Sequence, residues 1–364
     1  MSRPTTATIH HAALRHNLQH IRKAAAGANV MAVVKADAYG HGLERVAGVL
    51  RDADAFGVAA LGDLERLRAI GLGNRVLILS GFDEPADLPK LRDLAGDTAI
   101  HHEFQLEILE SAAAQWNGAQ ALDVWLKVDS GMHRLGFAPD KVPAAYARLQ
   151  RLQQQGVVGE IRAINHFASS DEFENPKTLQ QLQAFDAATQ DMRIERTTAN
   201  SAAIFGFPQT HRNWVRAGGA LYGQTVVENK CGADFGLRPA MTLHTRLIAV
   251  NQIQQGETVG YSERFRCPEN MPVGVAAVGY ADGYPRIVQE GTPVLVNGQR
   301  TQIIGRVSMD LMTIDLRNIE GAEVGANVTL WGNELPVEEV ARHAGTIGYD
   351  LTCSITRRVL FTDA

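Results

Sequence analysis

The fold class this sequence predicts is α/β: an N-terminal (β/α)8 barrel followed by a mainly β domain. Three observations predict it. Short apolar runs alternate with amphipathic helical stretches over most of the chain. The helical texture largely stops after Cys231. Polar residues able to do chemistry recur just past the apolar runs, where barrels of this class place their active sites.

The elements follow in order. Apolar runs at 30–34, 56–60, 75–80, 98–102, 123–129, 160–167, 196–201 and 215–222 read as eight parallel strands. Helical patterns at 43–50, 64–70, 103–114, 142–154 and 178–192 lie between them, with apolar residues three or four apart, as at Leu106, Leu109 and Ala113. A doubly wound sheet is the alternative, but it seldom needs eight units. Residues 10–233 are assigned to the barrel. Beyond it, β-rich runs at 241–250, 273–278, 292–296, 302–304, 312–316 and 328–331 are separated by turn signals such as Asn297-Gly298. Residues 234–364, with 1–9 added as an extra strand, form the β domain, and one helix is expected at 337–344.

Bulk composition narrows the class. The 364 residues are 45% hydrophobic and 21% charged, enough to build a sizeable core. A formal net charge of −5 gives no support to a nucleic-acid partner. Cys231, Cys267 and Cys353 are widely spaced, which suggests neither a metal site nor a disulfide framework. No run is long enough to span a membrane, and the N-terminus lacks an apolar signal core. A reduced, cytoplasmic setting is expected.

The strand ends carry the chemistry. Lys35 follows the first run, in Val33-Val34-Lys35-Ala36-Asp37-Ala38-Tyr39-Gly40-His41-Gly42. A lysine against apolar walls can attack a carbonyl and form a Schiff base; the plainer reading is a surface lysine. Lys127 and Asp129 close the fifth run and Arg134 lies beyond. His166 ends the sixth, Asn200 and Ser201 the seventh, and Arg216, Gly218 and Gly219 occupy the eighth. A lone histidine such as His166 is more often a satisfied core histidine. Ser201 reads as a helix N-cap, a phosphate cradle, or both. Arg216 inside an apolar strand is harder to explain blandly, because burying an unpartnered guanidinium is costly. A Schiff-base lysine, phosphate donors and an inward arginine together suggest pyridoxal phosphate. In the β domain, Tyr261 and Tyr280 sit at turns and read, taken alone, as packed turn tyrosines.

Eight motifs in fixed order resemble those of the alanine racemases. They are the Lys35 stretch quoted above, Lys127-Val128-Asp129-Ser130-Gly131-Met132-His133-Arg134, Ala199-Asn200-Ser201-Ala202-Ala203, Arg216-Ala217-Gly218-Gly219, Val259-Gly260-Tyr261, Gly279-Tyr280-Ala281-Asp282-Gly283, Gly305-Arg306-Val307-Ser308-Met309-Asp310 and Ile347-Gly348-Tyr349. The resemblance covers essentially the whole chain. It implies an isomerase with a TIM-like barrel that interconverts L- and D-alanine on pyridoxal phosphate, for peptidoglycan synthesis or alanine breakdown. It implies a homodimer with composite sites. Lys35 and Tyr261, the latter from the partner subunit, are the two implied bases. Tyr39, Ser201, Gly218, Gly219 and Tyr349 are implied phosphate contacts, and Arg216 the contact to the pyridine nitrogen. Arg134 is assigned to the cofactor's phenolic oxygen and the substrate carboxylate, with the Met309 amide assisting from the partner subunit, and His166 to the cofactor site and the hydrogen-bond network of Tyr261. Tyr280 and Tyr349 are expected to narrow the entrance, with Asp171, Arg286, Arg306 and Ile347 outside it. Lys127 matches a lysine that is carbamylated in some members.

The residues support that reading on chemical grounds. Racemisation removes a proton from one face of a planar centre and returns it to the other, which calls for two bases. The resemblance assigns Lys35 to the D-alanine face and Tyr261 to the L-alanine face. Two rival classes are weaker. A decarboxylase of similar plan generally uses an acid at the pyridine nitrogen, and Arg216 is not one. A cofactor carrier built on a barrel alone needs no second domain with Tyr261. Broader specificity, for serine or lysine, stays open. Ser262, where the family commonly has glycine, and Thr197 and Thr198 depart from the pattern.

Overall fold

The computed structural model describes residues 4–116 and 118–364. The chain divides into two units: one comprises 18–38 and 42–221, the other 1–17, 39–41 and 222–364.

β1 (Thr6–Ile9) belongs to the second unit. The first unit is a closed barrel of eight parallel strands. They are β2 (Asn29–Val33), β3 (Ala55–Val58), β4 (Arg75–Ile78), β5 (Asp97–Ile100), β6 (Leu122–Lys127), β7 (Val158–Ile164), β8 (Arg196–Thr197) and β9 (Trp214–Ala217). β2 closes the ring on β9, with Met31 opposite Arg216. Met31, Ala55, Leu77, Trp125, Ile164 and Trp214 fill the interior, and Trp125 meets Trp214 edge-on at 5.8 Å. That is a packed core, as the class requires.

Every expected barrel strand is present, but several end earlier than the apolar runs suggest. Asn200 and Ser201 do not close a strand. Asn200 caps the helix Ser201–Gly206, its side chain accepting from the Ala203 amide at 3.1 Å. Gly218 and Gly219 lie beyond β9, where the chain tightens into the turn Gly219–Tyr222. His166 is two residues past the end of β7. In each case apolar composition outlasts the backbone ladder, because a cap or a turn takes over the hydrogen bonds.

The barrel floor is tied by charge. Asp97, buried at the start of β5, accepts from Arg75 at 2.6 Å and from the Trp125 indole at 2.8 Å. Arg75 also meets Asp123 at 2.9 Å, while buried Arg162 and the Trp214 indole both donate to Glu195 at 2.8 Å. Removing one member of such a network leaves buried charge uncompensated. Asp97→Ala is expected to lower stability by about 3–5 kcal/mol. Urea unfolding checks this; a loss near zero would show that the network is redundant.

The second unit holds a mixed sheet of β1 with β10 (Met241–Ile253), β13 (Met271–Ala276), β14 (Pro293–Val296), β15 (Gln299–Ile304), β16 (Met312–Asp315), β17 (Asn327–Trp331) and β18 (Leu360–Asp363). The expected N-terminal strand is real: β1 pairs antiparallel with β10 and parallel with β18. Long β10 pairs with β17 through its first half and β13 through its second, so the strand order returns on itself. A short ribbon, β11 (Thr258–Val259) and β12 (Phe265–Arg266), packs over Cys267, Met271, Val273 and Ile304.

Candidate active site

Within the barrel, the candidate residues gather past the C-terminal ends of the strands. Lys35 begins a helical turn, Lys35–Gly40, directly after β2. The turn is left-handed: Ala36, Asp37, Ala38 and Tyr39 all have φ between 52° and 55°. L-residues pay roughly 1–2 kcal/mol each for that conformation, so surrounding contacts must hold it. The Ala38 amide donates to Val34, and the Asp37 carboxylate takes Leu43 N at 3.1 Å and Arg66 at 2.7 Å.

Lys127 ends β6 with only 8% exposure. Burial, then Arg216, Arg134 and Lys35, pull its ammonium down to about 8, with Asp129 opposing. Burial and the same cations hold His166 well below its ordinary range, so its ring is neutral at neutral pH. Cations therefore crowd one end of the barrel, and that field favours an anion.

Arg216 projects from β9 into this cluster. It donates to Thr197 Oγ1 at 2.8 Å, Asn165 O at 2.7 Å and Thr198 O at 3.3 Å, with His166 Nδ1 at 3.5 Å. All of these partners are neutral. Burial brings its guanidinium down to about 9, which leaves it charged at neutral pH. Thr197 Oγ1 donates onward to Trp214 O at 3.0 Å, so it can only accept from Arg216. Ser201 Oγ accepts from the amides of Gly218 at 2.9 Å and Ala220 at 3.2 Å, making a small polar cradle beside Gly219. Asp171 is half-buried on the segment after β7.

The second unit assembles the other candidates in two groups. Tyr39 stacks on Tyr222 at 4.9 Å and meets Tyr349 edge-on at 5.3 Å. Burial, and secondarily Cys353, push the Tyr39 phenol up to about 12, so it remains a hydrogen-bond donor. Gly40 is required here: a Cβ would lie 2.0 Å from Thr352 O on the helix that carries Tyr349.

The other group centres on the β11–β12 ribbon. Tyr261 sits at its tip and is 67% exposed. Ser262 adopts φ 61°, which explains why glycine suits this position and shows that serine can fill it at some cost. The 305–306 segment backs onto this ribbon, since a Cβ on Gly305 would lie 2.9 Å from Val259 O. Tyr280 N donates to Ser308 O at 3.1 Å and Ala281 N to Met309 O at 3.0 Å, locking those two loops together. Met309 is 53% exposed; Ile347 and Arg286 are exposed as well. Lys35 and Tyr261 belong to different units.

Two contributors escaped the sequence reading. Asn165 and Thr197 hold Arg216, one through a backbone carbonyl and one through a hydroxyl. A carbonyl has no sequence signal. Thr197 was visible as a departure, although its partner was not.

Residues 9–226 match the alanine racemase N-terminal domain, and residues 240–362 match the alanine racemase C-terminal domain. The chain belongs to the alanine racemase family. It is 47% identical over 347 residues to the alanine racemase of Shewanella woodyi, covering 95% of each chain. It is 47% identical over 369 residues to that of Acidovorax sp. (strain JS42), covering 99% of this chain and 98% of the relative. Among solved structures, biosynthetic alanine racemase from Pseudomonas aeruginosa superposes with a TM-score of 0.93 at 41% identity, over 100% of this chain and 99% of that one. The Acinetobacter baumannii alanine racemase gives a TM-score of 0.92 at 34% identity, covering 100% of both chains. The barrel and the mainly β region are thus the architecture of an isomerase family. Among the described residues, no helix is long and apolar enough to cross a membrane, and no group of His, Cys, Asp and Glu is placed to hold a metal ion.

Proposed function

We propose that this chain interconverts L-alanine and D-alanine with pyridoxal phosphate. The match to alanine racemases along nearly the whole chain carries the reading. The residues fit the cofactor. A lysine at the barrel mouth, an uncompensated buried guanidinium, a serine–amide cradle and a phenol kept protonated suit an anionic, carbonyl-bearing ring. When bound, pyridoxal phosphate withdraws electrons and acidifies the substrate Cα–H.

The chain's own residues do the rest. Lys35 anchors the cofactor and then exchanges a proton at Nζ on the D-alanine face. Tyr261, contributed across a homodimer, exchanges the proton at its phenolic oxygen on the L-alanine face. Its exposure here supports a role completed by another subunit. Arg134 and the Met309 amide bind the substrate carboxylate, and His166 belongs to the Tyr261 network. Tyr39, Ser201, Gly218, Gly219 and Tyr349 hold the phosphate. Arg216 donates to the pyridine nitrogen and cannot accept from it. Tyr280 and Tyr349 restrict side-chain size, while Asp171, Arg286, Arg306 and Ile347 line the outer approach. Lys127, depressed to about 8, is partly unprotonated at neutral pH and so able to add carbon dioxide. The resulting carbamate would offset the cations around it. The D-alanine so formed serves peptidoglycan synthesis or the breakdown of alanine.

The test is to incubate the cofactor-loaded protein with L-alanine and follow D-alanine. Approach to an equal mixture is expected. No D-alanine, with the cofactor shown on Lys35, would overturn the assignment, and turnover of serine or lysine instead would shift it to another amino acid. Carbon-13 NMR of the same protein in labelled bicarbonate reads Lys127, where a carbamate signal is expected and its absence would remove that role.

A further inference from the structure

The loop after β6 carries Arg134, and one side chain holds it in shape. Asp129 Oδ1 accepts the amides of Gly131 at 3.0 Å, Met132 at 3.1 Å and His133 at 2.9 Å. Its Oδ2 meets His133 Nδ1 at 3.1 Å. Three contacts on Oδ1 and one on Oδ2 thus all go to a single loop.

The loop is also closed at its base. Asp129 N donates to Phe137 O at 2.9 Å and Phe137 N to Lys127 O at 2.8 Å. Gly136 makes the closure possible, since a Cβ there would lie 2.6 Å from Asp129 N. Inside the loop, His133 adopts φ 57° directly before Arg134. A non-glycine residue persists in that conformation only when its surroundings over-determine it. Asp129 grips both its amide and its ring. Arg134 itself is exposed and needs an external constraint to be aimed.

We propose that Asp129 is a positioning residue for Arg134: its carboxylate gathers three amides and the His133 ring, and so fixes the direction in which the guanidinium meets an anionic substrate. The inference rests on the reading of Arg134 as the contact to the substrate carboxylate. Asp129 needs no contact with substrate or cofactor. The same carboxylate favours the charged form of Lys127 against the surrounding cations, consistent with a place at the edge of this cluster.

The experiment uses Asp129→Ala, Asp129→Asn, Arg134→Ala and the double variant Asp129→Ala/Arg134→Ala as full-length holoenzymes. Asn keeps an acceptor for the amides and loses the charge. Asp129→Ala is expected to raise KM for L-alanine roughly tenfold or more with a smaller change in kcat. Asp129→Asn should fall between it and the parent, and carries the test alone if the alanine variant does not fold. The double variant should be no worse than Arg134→Ala, because the two act as one unit. Independently of turnover, trypsin should cut after Arg134 roughly tenfold faster in Asp129→Ala, since local opening becomes easier.

Unchanged KM and unchanged cleavage would overturn the proposal, as would fully additive defects in the double variant. If Arg134→Ala leaves KM unaltered, the reading of Arg134 fails instead, while faster cleavage still identifies Asp129 as the clamp of the loop.

Discussion

Subunits carrying Lys35→Ala and subunits carrying Tyr261→Ala are each expected to be inactive alone, and together to recover about a quarter of parental activity. On the proposed mechanism, loss of Lys35 removes both the anchor and one base, and loss of Tyr261 removes the other base. Proton transfer by a positioned group contributes roughly 10²–10⁴ in rate. Random exchange makes about half of the dimers mixed, and each mixed dimer has one intact and one doubly defective site. The Tyr261 phenol, the proposed second base, is 67% exposed at the tip of a two-stranded ribbon. A general base works best where water is excluded, so a second subunit has a physical task there. The measurement is racemisation after partial denaturation and reassociation, with exchange verified by mass. Exchange without recovered activity would place both bases in one subunit and end the shared-site reading.

Arg216→Glu is expected to cut kcat for racemisation by roughly 10²–10³ and to raise the fraction of turnovers ending in half-transamination. The guanidinium reaches Thr197, Asn165 and Thr198 by donation alone, and these partners are all neutral. A glutamate reverses the sense of the contact, so that a proton on the pyridine nitrogen becomes favourable. With an acid at this position the bound cofactor would withdraw electrons more strongly, and proton return to an atom other than Cα, which ends in half-transamination, would become more frequent. Loss of the cofactor's visible band in the presence of alanine, with pyruvate formed in step, is the readout. A folding defect is separable, because Arg216→Gln also leaves the Asn165 and Thr198 carbonyls short of donors but adds no acid. If both variants show the same half-transamination, the charge at this position is not what suppresses it.

Much of this was readable in residues. Parallel barrel strands are buried on both faces, so runs such as Val30-Met31-Ala32-Val33 stand out without alternation. Polar residues at successive run ends marked the working face. The rest was hidden for physical reasons. The helix Asp87–Asp93 is one short stretch with Pro89 inside it, too brief for a clear period. β18 is half-exposed and owes its existence to pairing with β1 rather than to a pattern of its own. The acceptors of Arg216 include two backbone carbonyls, which every residue possesses. Asp129 was read as the close of the fifth run, and nothing in the sequence states that its carboxylate would reach as far as His133.

The left-handed turn after Lys35 bears on the order in which a working molecule is made. A free peptide of Ala36-Asp37-Ala38-Tyr39 relaxes to right-handed or extended states, because no local term rewards the alternative. Partners from beyond the turn, among them Arg66 for Asp37 and Thr352 against Gly40, help hold it. Arg66 follows soon after the turn in the chain, but Thr352 arrives only when the chain is nearly complete. A nascent chain therefore carries the lysine long before the turn around it is complete, and the proposed cofactor capture falls near the end of maturation rather than during synthesis.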